Sequence, residues 1–130
     1  MQFLLTFHGE MRWLVLLAAL LVAGRSIFGL IRGLDFGKGD RILMSVLVGL
    51  LDLNLLLGLI LLAGGPGGLA PYRLEHAVTM ILAVLAAHSW AIWRRFPNSA
   101  LKFRNTLIVV VLVLVLVCLG VYRLRGGFVF

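Results

Sequence analysis

Apolar residues fill four blocks of the chain, residues 11–31, 42–63, 74–93 and 106–122, and most charged residues fall in the gaps between them. The hydrocarbon core of a bilayer takes about 20 helical residues, so each block predicts one spanning helix. A closed β-barrel would need more and shorter segments with period-two alternation. The gaps carry breakers: Gly33, Gly37 and Gly39 in 32–41, a Gly/Pro-rich run at 64–71, and Pro97 in 94–105. Such residues end helices and turn the chain. Short connections place consecutive helices antiparallel. The expectation is an all-α fold, a four-helix transmembrane bundle running up-down-up-down, with residues 1–130 as one integral membrane domain.

Composition supports the same class. The chain is 62% hydrophobic and only 13% charged, more apolar surface than a soluble domain of this size could bury. A formal net charge of +7 would suggest nucleic acid in a soluble protein. Here the basic residues cluster at the ends of the apolar blocks, which predicts membrane anchoring and no nucleic-acid partner. The single cysteine, Cys118, excludes an intramolecular disulfide and is expected to pack as a small apolar residue. The opening residues lack the basic n-region and cleavage site of a signal peptide, so Met1 is expected to be retained. The first and third gaps and their flanks hold Arg32, Lys38, Arg41, Arg94, Arg95, Lys102 and Arg104, against Arg12, Arg73, Arg123 and Arg125 on the other side. That excess predicts cytoplasmic first and third loops and outward-facing termini.

The chemistry lies in ionisable residues placed inside spanning segments, where each needs a partner or a function. A rise of about 1.5 Å per residue sorts them by depth. An outer layer holds His8, Glu10 and Arg12 from the first helix and Arg73, Glu75 and His76 from the third. Opposite charges there suggest the pairs Glu10–Arg73 and Arg12–Glu75, leaving His8 and His76 to face each other if their helices are neighbours. A deeper layer holds Arg25, Asp52 and His88. It predicts a structural Arg25–Asp52 ion pair, with Asn54 and His88 hydrogen-bonded beside it. These groups could also relay protons, although a static pair is the simpler expectation. The fourth helix has no ionisable residue in its core and is expected to form a lipid-facing or partner-facing wall. Trp13, Tyr72, Trp90 and Trp93 read as interface anchors.

Two histidines from two helices at one depth are how a bundle holds a haem iron at both axial positions. His8 and His76 are therefore the candidate cofactor-binding and metal-ligating residues. The other reading is that both are interfacial histidines bonded to neighbouring carboxylates or headgroups. His88 lies twelve residues from His76, about 120° around the helix, and is a poorer ligand. Neither HExxH nor GxGxxG occurs, so zinc hydrolase and dinucleotide chemistry have no basis.

With these residues in view, the chain resembles small four-helix bacterial integral membrane proteins labelled cytochrome b-like. The resemblance rests on His8-Gly-Glu-Met-Arg12-Trp13, the turn Lys38-Gly-Asp40-Arg41, Asp52-Leu-Asn54 through Gly58, and Glu75-His76 with Met80. Members often carry His-x-Gln where this chain has Asp52-x-Asn54, a departure that removes one ligand. The resemblance implies a non-catalytic subunit associated with electron transfer, binding one b-type haem, in the bacterial cytoplasmic membrane. Its partners would be the lipid bilayer and other membrane subunits or a second copy. The alternative expectation is a haem-free accessory subunit packed in a larger respiratory or photosynthetic complex. A small proton-coupled transporter ranks below both, because so short a chain would need to oligomerise to build a path.

Overall fold

The computed structural model describes residues 1–126. Four helices account for nearly all of them: α1 (Gln2–Arg32), α2 (Lys38–Gly64), α3 (Pro71–Trp93) and α4 (Ser99–Arg125). Each is long and apolar enough to cross a membrane, which makes this a multi-pass membrane protein of the four-helix-bundle type.

Two helices begin well before their apolar blocks. α1 starts at Gln2 and not near residue 11, because residues 2–10 contain no proline and Phe3, Leu5 and Phe7 keep the segment apolar. α4 starts at Ser99, since the Asn98 side chain caps it by accepting from the Ala100 N–H at 2.8 Å and the Leu101 N–H at 3.4 Å. Such a cap satisfies amides that the first turn leaves without partners. At the other ends, α1 and α4 stop at Gly33 (φ 62°) and Gly126 (φ 70°), left-handed positions that favour glycine. Pro71 opens α3 at its first turn, where its missing N–H is harmless.

The helices form a ring in which α1 touches α2 and α4, and α3 touches α2 and α4. α1 and α3 are therefore diagonal, not neighbours. The tightest seam joins α3 to α4 and the loosest joins α2 to α3. The core takes one face of each helix: Val15, Ala18, Ala19 and Val22; Met44, Leu47 and Leu51; Ala83, Ala87 and Trp90; Val109, Val110, Val113 and Val117. These positions recur at helical spacing, and the alanines let the backbones approach closely. α4 is thus a core helix, contrary to the expectation of an outer wall. Its run of valines looked featureless in sequence, yet lines the centre on one side and faces outward on the other. Trp90 is also not an interface anchor. It is buried and donates its indole N–H to Thr106 Oγ1 at 2.9 Å. Large apolar side chains such as Leu20, Leu85 and Ile108 cover the outside, the surface a bilayer solvates.

At the end where α1 and α3 finish, Arg25 Nε donates to Asp40 Oδ1 at 2.6 Å, and Asp40 Oδ2 accepts from the Gly37 N–H at 2.9 Å. The Arg25–Asp52 pair expected from depth does not form. Asp40 sits in the first turn of α2, twelve residues or about 18 Å along the helix from Asp52, so Arg25 cannot serve both. A carboxylate in a first turn also suits the helix dipole. Phe103 packs beneath, with Arg25 Cζ 5.6 Å from its ring centroid. Phe36 meets Phe103 at 5.0 Å between centroids and donates its N–H to Ser99 Oγ at 2.9 Å. Gly29 allows this packing, because a Cβ there would lie 2.5 Å from the Phe103 ring.

Candidate functional site

At the opposite end, where α1 and α3 begin, the four helices diverge around a cavity of about 330 Å³, in the range of small-molecule and cofactor pockets of about 300–1,000 Å³. His8 from α1 and His76 from α3 reach into it from diagonal helices. Their ring centroids are 6.3 Å apart and their planes stand at 90°. Depth alone placed the two rings in one layer; their meeting across the centre, not along a helix–helix seam, is a property of the ring of four helices.

Each imidazole is held by a main-chain carbonyl. His8 Nδ1 lies 3.1 Å from the Asn54 carbonyl oxygen on α2, and His76 Nδ1 lies 3.0 Å from the Gly120 carbonyl oxygen on α4. A carbonyl oxygen only accepts, so in both contacts Nδ1 carries the hydrogen and donates. In a neutral ring Nε2 then keeps its lone pair. An imidazole whose other nitrogen donates to a carbonyl is the arrangement metal-binding histidines adopt.

The His8 contact depends on a missing side chain. Asn54 O lies in the regular helical register of the Gly58 N–H four residues on. Gly58 leaves room for the ring of His8, since a Cβ there would stand 3.0 Å from His8 Cε1. Gly120 on α4 makes room for Met80 instead: a Cβ there would run into Met80 Cε, while its 3.5 Å to His76 Nδ1 would be ordinary contact. Sequence reasoning missed both carbonyls and the role of both glycines. The available signal was an isolated glycine inside an apolar helix, which costs about 1 kcal/mol against alanine and so points to a packing reason.

The remaining polar residues differ from their expected pairings. Neither Glu10–Arg73 nor Arg12–Glu75 forms. Arg73 donates to the carbonyls of Leu61 (2.8 Å) and Gly68, at the C-terminal end of α2 where a cation is favoured. Glu75 instead pairs with Arg123 at 3.3 Å, because the α3–α4 seam is closer than the diagonal to α1. Glu10 is exposed, and Arg12 Cζ lies 5.2 Å from the Trp13 ring centroid. Arg12 Nε and Asn54 Oδ1 are buried without hydrogen-bond partners among the described residues, and both residues line the cavity. Asn54 therefore belongs to the histidine cavity and not to a deep layer with Arg25. His88 keeps one expected partner, Asp52, at 2.9 Å, but not Arg25. Their side chains are 53% and 45% exposed, so this pair faces out of the bundle.

Among the described residues no three His, Cys, Asp or Glu side chains converge on one point. A bare metal ion would need more donors than the two imidazoles supply. A haem iron needs only two from the protein, because its macrocycle fills the other positions. His8 and His76, each held at Nδ1 by a main-chain carbonyl and both lining one cavity, would be the residues to hold such an iron. The residues present fit a haem.

No protein-family model matches the chain, and no curated protein or solved structure gives a significant match.

Proposed function

We propose that this protein holds one b-type haem between His8 and His76 and serves as a non-catalytic electron-transfer subunit in a bacterial cytoplasmic membrane. The observation that carries the reading is the pair of contacts from the two imidazoles to main-chain carbonyls. Both Nδ1–H groups are bonded to main-chain carbonyls, which leaves two Nε2 lone pairs from opposite helices in one cavity. When bound, the haem supplies a one-electron couple. His8 and His76 would hold the iron, and Leu51, Val84 and Val117 line the cavity with apolar surface that keeps water away. Two protein ligands holding the group would favour electron transfer over substrate chemistry. The resemblance to cytochrome b-like proteins supports the same assignment, and the excess of Lys and Arg around the first and third loops favours a cytoplasmic position for them.

The test is the visible spectrum of the purified protein produced with haem in ample supply. The reading requires the sharp reduced bands of a six-coordinate b-type haem. His8→Ala and His76→Ala should each abolish them or leave a five-coordinate species, and His88→Ala should leave them intact. A colourless preparation overturns the assignment. In that event the protein is a haem-free accessory subunit, a reading favoured by one observation. The half-exposed Asp52–His88 pair faces outward from apolar helices, where a neighbouring subunit would shield it better than lipid does.

A further inference from the structure

The cavity beside the two imidazoles carries charge that its walls do not balance. Arg12 of α1, Arg73 of α3 and Arg125 of α4 line it, and no carboxylate does among its described lining residues. Arg73 is fixed by the carbonyls of Leu61 and Gly68, neutral acceptors that orient the guanidinium without cancelling its charge. Glu75, two residues from Arg73, is engaged by Arg123, and Glu10, two residues from Arg12, is exposed and does not line the cavity.

Arg12 is the most telling of the three. Its Nε is buried and has no acceptor among the described residues. A buried donor left without a partner is costly, more so on a charged group, so an acceptor is expected to arrive with whatever fills the cavity. Helical side chains slant toward the N-terminus of their helix. Arg12, one turn after His8, is thereby directed back toward the level of His8. Arg73 lies just before His76, and Arg125 lies five residues beyond Gly120. Three arginines from three helices therefore line the cavity that holds the imidazoles, the Arg12 guanidinium also lying 5.2 Å from the Trp13 ring centroid, while the rest of the wall is mainly Leu, Val and Met.

We infer that Arg12, Arg73 and Arg125 form an anion clamp for a largely apolar ligand that carries carboxylates along one edge. The inference rests on the haem assignment and deepens it: the carboxylates are the two propionates of the tetrapyrrole, and the arginines set which edge enters first. Guanidinium groups suit this task because they meet a carboxylate through two parallel hydrogen bonds.

Iron-free protoporphyrin IX and its dimethyl ester, titrated into the purified full chain in detergent and followed by porphyrin fluorescence, test the clamp apart from the ligand bonds. Without iron the imidazoles form no coordinate bond, so the difference between diacid and ester reports the carboxylates. The wild type should bind the diacid at least ~10-fold more tightly than the ester, as one charge-assisted hydrogen bond implies. Arg12→Gln and Arg73→Gln should each remove most of that preference while leaving ester binding unchanged, which also shows that the cavity remains folded. Arg12→Lys should restore part of it. Equal affinity for diacid and ester in the wild type overturns the clamp, as does failure to bind either porphyrin. Arginine variants that lose both porphyrins alike overturn it too, since that result marks a purely structural role. The two assignments fail separately. A haem spectrum with no diacid preference sinks the clamp alone, whereas a diacid preference in a protein giving no six-coordinate haem sinks the ligand assignment alone.

Discussion

Replacing Gly58 with alanine separates the stability of the bundle from the geometry of its site. The added Cβ would stand 3.0 Å from His8 Cε1, closer than such contacts normally come, so the ring has to move by a few tenths of an ångström. Its hydrogen bond to Asn54 O, at 3.1 Å, would lengthen or bend. A neutral hydrogen bond contributes about 0.5–1.5 kcal/mol. Alanine in place of glycine returns about 0.8–1 kcal/mol within a helix. The two effects nearly cancel, and thermal unfolding in detergent should shift little. Haem affinity should not be spared, because losing the partner that orients a metal-binding histidine typically costs about 10–100-fold. Gly49 supplies the control on the same helix. A Cβ there meets nothing within 4 Å, so Gly49→Ala should leave haem binding untouched and, if anything, raise stability. Haem titration of the two variants followed by absorbance reads the difference. Equal affinities would refute the argument that Gly58 exists to admit the His8 ring.

Three further outcomes follow from the polar contacts. Asp40→Ala removes both the partner of Arg25 and the acceptor of the Gly37 N–H; it should lower the unfolding temperature, and adding Arg25→Ala should cost less than the sum of the single changes, since additive losses would mean the two side chains act separately. Asp52→Ala and His88→Ala should each change stability by no more than about 1 kcal/mol, the scale of an exposed pair; a loss of about 3–5 kcal/mol in detergent would show that the pair is buried in the protein as purified. A topology reporter fused after Phe130 should read as external, and an internal reading would reverse the orientation drawn from the Lys and Arg distribution.

The run lengths and the breakers at Gly33, Pro66, Pro71 and Pro97 were enough to count the helices and assign the class, because burying a backbone in lipid leaves little choice but a helix. Depth was legible for the two histidines, though not for Arg25 and Asp52. Axial rise is the same for every helix, which is why His8 and His76 were placed in one layer from residue numbers alone. What the residue numbers could not supply was direction around each helix axis and the order of helices in the ring. Arg25 reaches Asp40 and not Asp52, Glu75 reaches Arg123 and not Arg12, and the valines of α4 line the core. The last two turn on lateral position, which is set by how four apolar faces pack together, whereas the first turns on depth, since Asp40 and Asp52 lie about 18 Å apart along α2. The carbonyls that hold the two imidazoles were hidden for a related reason. Every residue has a carbonyl, and only packing decides that those of Asn54 and Gly120 are the ones a histidine can reach, in the first case through the space that Gly58 leaves open.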